Sequence, residues 1–168
     1  KVFNLKQMAA ALAYLQDNGL TEYGELEKKA AETTDCFHVL SDRIKQTENA
    51  MNTNRELKTA TVQYARTRPV FEKYKAAKYS RKFLAEHEAD IELYRAAQAD
   101  LKRLLDGAKL PKMDVLKEEG RKLAEQKRKL YAEYQRVRRD MQEVNTAKAN
   151  IDYLLGYAGQ DKKKEQER

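Results

Sequence analysis

From Thr21 onward apolar side chains return every three or four residues, through Tyr23, Leu26, Ala30, Thr33, Phe37, Leu40, Ile44 and Met51. Such steps place all of these positions on one stripe of an α-helix, the pattern of a coiled-coil seam. Beyond Met51 the register drifts. Asn54 and Lys58 fall on the seam, while Leu57, Thr61 and Tyr64 resume it one residue early, a three-residue discontinuity that alters the winding without ending the helix. Pro69 has no backbone N–H and pushes Arg68 away from helical angles, so the long helix is expected to end or kink near Thr67 and Arg68. Ahead of it, residues 4–18 (NLKQMAAALAYLQDN) predict a short helix running from an Asn4 cap to the stop at Asn18-Gly19.

After Tyr79, Ser80 is the expected N-cap of one helix carrying Phe83, Leu84, His87, Ile91, Tyr94, Leu101, Leu104 and Leu105 and closed by Asp106-Gly107. The loop through Ala108, Lys109, Leu110 and Pro111 then turns the chain back. The clearest pattern follows, with strict four-three spacing through Leu116, Gly120, Leu123, Lys127, Leu130, Tyr134, Val137, Met141, Val144, Lys148, Ile151 and Leu155. It predicts a helix from about Lys112 to Leu155, roughly 65 Å long at about 1.5 Å per residue. Gly156, Gly159 and the polar stretch Asp161 to Arg168 lose the pattern and are expected to fray.

Seams this long have to be buried, and short connections favour antiparallel neighbours. The expected fold is all-α, an elongated antiparallel coiled-coil-like helical bundle with two or three long helices. Its expected parts are a short N-terminal helix over 1–19, a main body over 20–156 with a bend near 67–70 and a loop at 107–111, and a frayed tail over 157–168. The last helix outruns the one before it, so part of its seam is left over as a candidate dimer contact.

Composition agrees with this picture. Charged residues are 36% of the 168, against 41% hydrophobic, with six Gly, two Pro and no Trp, the balance of amphipathic helices with solvated outer faces. The length suits one domain. No apolar run approaches the roughly 18–20 residues of a membrane span, and nothing at the start reads as a signal peptide, so no membrane insertion and a cytoplasmic location are expected. The lone Cys36 has no internal disulfide partner, which fits a reducing compartment. Lys1, where a native chain would carry Met, points to a piece of a longer protein.

Charge adds a direction. The net charge is +7, and residues 1–60 hold eight Lys/Arg against nine Asp/Glu while residues 61–168 hold twenty-six against eighteen. The excess suggests an acidic partner, nucleic acid first and an anionic membrane surface second. Chemistry is thinner. His87-Glu88 begins a zinc-protease signature, but Ile91 stands where its second histidine belongs. Glu86, His87 and Asp90 lie within one turn, and Asp35, Cys36 and His38 form another local group, yet two histidines cannot furnish two Glu-x-x-His motifs, and the isolated Gly24, Gly107 and Gly120 make no phosphate loop. No catalytic residue, metal or cofactor is expected.

The basic segments say more. Tyr64 to Lys82 (YARTRPVFEKYKAAKYSRK) carries Arg66, Arg68, Lys73, Lys75, Lys78, Arg81 and Lys82 against Glu72 alone, interleaved with Tyr64, Phe71, Tyr74 and Tyr79. Cations that track phosphates and aromatic faces that stack on bases are what a single-strand groove uses, with Tyr74 and Tyr79 the candidate stackers. The alternative is that the aromatics are core residues and the cations a solvated rim. Along the last helix Arg121, Lys122, Arg128, Lys129 and Arg136 recur at seven-residue intervals on the outer face, either a second nucleic-acid contact or a solubilising stripe.

Over roughly Leu40 to Gly156 the chain resembles the C-terminal region of relaxase/mobilisation nuclease proteins of bacterial integrative conjugative elements. The likeness is densest around Tyr79-Ser80, His87-Glu88-Ala89-Asp90-Ile91, Tyr131 to Tyr134 and Ala149 to Gly156. It implies a parent enzyme that nicks one DNA strand at a transfer origin, with a catalytic tyrosine and a histidine-bound divalent metal in an N-terminal nuclease domain. His38 and His87 stand far apart without the His-hydrophobic-His element of that metal site, so no catalytic role carries onto any residue here. The expected role is a non-catalytic accessory arm that holds single-stranded or origin-proximal DNA. The alternative is an interaction module that docks a transfer protein or a second copy through the coiled-coil seam.

Overall fold

Five helices make up all the regular structure among the described residues: α1 (Leu5–Asp17), α2 (Tyr23–Ala76), α3 (Arg81–Glu86), α4 (Glu88–Leu105) and α5 (Met113–Gln166). The fold is all-α, 89% helical. This computed structural model describes the backbone of residues 5–20 and 22–166 and the side chains of residues 6–20 and 22–153. Asn4, expected to cap α1, and the Thr21 start of the seam lie outside the described residues, as do the side chain of Leu155 and residues 167–168 of the polar tail. α5 runs on as helix to Gln166.

Two helix ends show how local chemistry sets the boundaries. At the end of α1, Gly19 takes φ +64°, its N–H donates to Gln16 O (3.1 Å) and Leu20 N–H donates to Leu15 O (2.9 Å). This is the Schellman arrangement, in which a left-handed residue lets the last carbonyls find donors, and glycine adopts that φ without a Cβ clash. α2 closes the same way without a glycine. Lys78 (φ 51°) takes the left-handed position and donates to Lys75 O (2.9 Å), while Tyr79 (φ 59°) donates to Tyr74 O (3.0 Å) and packs its ring edge-on against Tyr74, centroids 5.2 Å apart. An L-residue held left-handed costs about 1–2 kcal/mol, part of which glycine recovers. Lys78→Gly is therefore expected to stabilise the protein by about 0.5–1 kcal/mol, read as a rise of a few degrees in thermal midpoint. An unchanged or lower midpoint contradicts the strain.

Two boundaries differ from the sequence expectation. Of the end or kink expected at Pro69, the end is ruled out: Pro69 sits inside α2, which continues to Ala76. Proline at 69 deprives the Ala65 carbonyl of its donor, but Ala65 and Pro69 are both exposed, so water can serve that carbonyl. The opposite face holds the buried Thr67 and Tyr74, and their packing offsets the roughly 3 kcal/mol that an interior proline costs. Conversely, the helix expected from Ser80 to Asp106 is two. Ser80 does cap α3, accepting from Phe83 N–H at 3.5 Å, but His87 (φ −131°, ψ 25°) leaves helical space and separates α3 from α4. His87 lies between them half-buried, its ring 4.4 Å from that of Phe83.

The chain divides into two compact units, one of residues 1–44 and 129–168 and the other of residues 45–128. In the first, α1 and the opening of α2 pack on the later part of α5. Leu26, Ala30 and Val144 form one buried cluster with Tyr14, Leu15, Leu20 and Ile151 against it. Leu40, Ile44, Leu130 and Val137 form another with Phe37 and Tyr134, so α2 and α5 run antiparallel here. An exposed cluster ties the start of α2 to α5: the Tyr23 hydroxyl donates to Asp152, and Lys148 pairs with Asp152 (2.9 Å) and Glu27 (3.9 Å). Hydrogen bonds first from Tyr23, then from Lys148, hold the Asp152 carboxyl below its ordinary range. A carboxylate depressed in the folded state adds stability above its unfolded pKa, about 4, that is lost as pH falls through the folded value. Asp152→Asn is thus expected to flatten the decline of the urea midpoint below about pH 4. An acid limb identical to wild type rules the cluster out as a contributor.

In the second unit, residues 45–76 of α2 pack antiparallel to α4, with Arg103 on Glu56 (3.0 Å) and Tyr94 stacked between Tyr64 and Phe71. They also run antiparallel to residues 113–128 of α5, where Lys127 pairs with Glu48 at 2.8 Å. Ile91, Ala97 and Leu116 are fully buried. The α5 seam is buried or half-buried at every expected position from Leu116 to Ile151. Asn54, expected to mark a drifting register, is buried at 4% exposure.

Candidate nucleic-acid interface

The excess positive charge follows the structural division. Residues 45–128 hold twenty Lys/Arg against thirteen Asp/Glu, while the rest of the chain holds fourteen of each, so the second unit carries the whole +7 and the first is neutral. A linear split at residue 60 blurs this, because the neutral unit takes both ends of the chain. A polyanion has its long-range attraction to the second unit alone.

All seven cations of the Tyr64 to Lys82 segment are exposed. Lys75 leans on Glu72 at 3.8 Å; Arg66, Arg68, Lys73, Lys78, Arg81 and Lys82 make no ion pair among the described residues. Helical geometry spreads them. At about 100° per residue, Arg66 and Lys73 share one flank of α2 and Arg68 and Lys75 share the other, with the buried Thr67 and Tyr74 between. Lys78, Arg81 and Lys82 cluster in sequence at the turn from α2 to α3. Of the α5 stripe, Arg121, Lys122 and Arg128 lie exposed in the second unit, and Lys129 and Arg136 lie exposed in the first. Arg121 is already committed: two of its nitrogens meet the Glu118 carboxylate at 2.8 and 3.0 Å, which lowers the Glu118 pKa.

The aromatics divide differently from the sequence expectation. Tyr74, a candidate for base stacking, is 5% exposed, with Phe71, Tyr79 and Phe83 rings around it at 5.2–6.1 Å. Its faces are taken up by the core, because the hydrophobic area of that ring is worth more against three aromatic neighbours than in water. Tyr79 is 56% exposed and keeps ring surface open beside Lys78, Arg81 and Lys82. Tyr64 and Tyr94 form a stacked pair, and the hydrogen bond that the Tyr94 hydroxyl donates to Tyr64, with burial second, pushes the Tyr94 phenol up to about 12. The phenols of Tyr14 and Tyr23 are also shifted upward, Tyr14 by burial and Tyr23 by its bond to Asp152. Each of these shifts favours the protonated phenol, the opposite of activating a tyrosine as a nucleophile.

Cys36 and His38 are exposed on α2, His38 edge-on to Phe37 at 5.7 Å. Among the described residues no three His, Cys, Asp or Glu side chains gather as metal ligands, and no helix is long and apolar enough to cross a membrane. Sequence reasoning missed Arg55, Lys58 and Lys117, which converge on a cavity of about 340 Å³ in the second unit. The signal was a lysine and an asparagine on the α2 seam and a glycine on the α5 seam, which become meaningful only once the two are known to meet. No family model matches the chain, and no curated protein or solved structure matches it either.

Proposed function

We propose that this chain is a non-catalytic nucleic-acid-holding arm, and that residues 45–128 supply its contact surface. The observation that carries the reading is the segregation of the entire net charge of +7 into that unit, with six exposed cations between Arg66 and Lys82 that make no ion pair among the described residues. Counterion release from the nucleic acid drives such binding, and Tyr79 adds a stacking surface that favours unpaired bases. The resemblance of Leu40 to Gly156 to the C-terminal region of relaxases supports reading it as an accessory arm of a DNA-nicking enzyme.

The test is fluorescence anisotropy of the full chain against labelled single- and double-stranded oligonucleotides at several salt concentrations. Micromolar or tighter binding that weakens steeply with salt supports the arm, and stronger binding of the single strand supports the role of Tyr79. Absence of binding at low salt overturns it. A second reading rests on the neutral unit, where Leu12 (52%), Val39 (57%) and Tyr131 (50%) expose large apolar side chains on α1, α2 and α5. These suit a transfer-protein partner or a second copy of the chain, and predict a complex that tolerates salt.

A further inference from the structure

Asn54 on α2 reaches the backbone of α5. Its Nδ2 donates to the Leu116 carbonyl at 2.9 Å and to a Glu119 carboxylate oxygen at 3.3 Å. That approach needs Gly120. Helical side chains slant toward the N-terminus, so a side chain at 120 would overhang the Leu116 carbonyl one turn back. A Cβ there would lie 2.9 Å from Asn54 Oδ1 and 3.3 Å from Lys58 Nζ. Glycine inside a helix costs about 1 kcal/mol relative to alanine, and this one keeps open the space between the two helices.

The space is a cavity of about 340 Å³, whose walls carry four cations, Arg55, Lys58, Lys117 and Arg121, and two amides, Asn52 and Asn54, but no carboxylate. Elsewhere in this unit the cations that bridge helices have acidic partners, Lys127 on Glu48 and Arg103 on Glu56. Here Arg121 turns to Glu118 on its own helix and Arg55 donates to Asn52 Oδ1 at 3.1 Å. Lys58 and Lys117 have no hydrogen bond or ion pair among the described residues, and Lys58 is half-buried. Like charges gathered around a hollow repel one another, and a half-buried ammonium without a partner loses hydration for nothing in return. An anion in the hollow reverses both penalties.

We infer that the Asn54–Gly120 cavity is a phosphate-binding pocket, with Lys58 and Lys117 supplying charge and the Asn52 amide a further donor. A phosphate group is the matching chemistry: it carries several acceptor oxygens, and Lys58, Lys117 and the Asn52 amide offer N–H donors to them. The group comes either from a nucleic-acid backbone or from a free phosphorylated molecule. The inference does not depend on the nucleic-acid reading, since the pocket is defined by its own walls.

Inorganic pyrophosphate titrated into the full chain by calorimetry at low salt tests it. Saturable binding at one site is expected, weakened at least about tenfold by Lys58→Gln with Lys117→Gln and unchanged by Arg66→Gln with Arg81→Gln. Gly120→Ala, which keeps every charge and narrows the hollow, is expected to weaken it as well; should that variant fail to fold, the lysine pair still decides. A linear, unsaturating heat, or an equal loss in both pairs of variants, overturns the pocket in favour of a diffuse charge atmosphere. Where pyrophosphate binds and displaces a labelled oligonucleotide, the source is a nucleic-acid backbone; where it binds without displacement, the source is a free phosphorylated ligand. Oligonucleotide binding that persists with no pyrophosphate site sinks the pocket and leaves the arm standing.

Discussion

Replacing Arg66, Arg68, Arg81 and Lys82 together by glutamine is expected to weaken single-stranded oligonucleotide binding on the order of a hundredfold near 0.15 M salt, with little change near 1 M. Each neutralised phosphate contact on a single strand removes about 0.7 from the slope of log affinity against log salt, so four contacts flatten it by about 3. Between roughly 1 M and 0.15 M salt that difference amounts to about two decades. All four side chains are exposed and outside any ion pair among the described residues, so the fold should tolerate the change, which a thermal melt checks. Oligonucleotides of any sequence should lose alike, because these cations meet phosphates and not base edges. A variant that binds with the wild-type slope moves the contact away from this segment. The split of the cations onto two flanks of α2 sharpens the test: Arg66 with Lys73, changed together, should cost more than Arg68 with Lys75, whose lysine already leans on Glu72.

Leu116→Ala is expected to cost about 3 kcal/mol, read from the urea midpoint at constant slope. Leu116 is fully buried, and on a helix surface that surrounds it with α2 the cavity left by three lost heavy atoms collapses only in part. Its neighbour Val115, 55% exposed, provides the control: Val115→Ala should stay within about 0.5 kcal/mol. Equal effects at the two positions contradict the burial of this face. Leu26→Ala, at a fully buried position in the other unit, is expected to match Leu116→Ala in size, since both remove the same side chain from a closed environment.

Much of this architecture can be read along the chain. The seam from Leu116 to Ile151 is a 3.5-residue repeat, and a helix turns every repeating position to one side whatever it later meets; each of those positions is buried or half-buried. Gly19 ends α1 because the left-handed turn there is a property of a few consecutive residues. Asn18-Gly19 and Ser80 are punctuation of the same local kind. Pro69 shows where local rules give way. Its cost is a few kcal/mol, real in a peptide, and the burial of Thr67 and Tyr74 outweighs it once α4 lies alongside. The left-handed Lys78 and the break at His87 carry no residue signal, since packing on either side and not intrinsic preference imposes those angles.

The candidate interface was legible as a list and not as a surface. Residue types placed the cations between Arg66 and Lys82 on the outside, because charge avoids an apolar interior. They could not separate Tyr74 from Tyr79, five residues apart with the same side chain; one is enclosed by three rings and the other stands at a turn. Nor could they show that the neutral unit claims both ends of the chain, or that Asn54 faces Gly120. From the residues alone it follows that helices form, which side of each is apolar, and where α1 and α4 stop, because those features depend on backbone geometry and on neighbours within a turn or two. Which seams meet, which tyrosine is buried and where the positive charge collects are settled only in three dimensions, because they depend on contacts between separate helices, from Tyr74 on Phe83 to Asn54 on Leu116, whose energies no local pattern encodes.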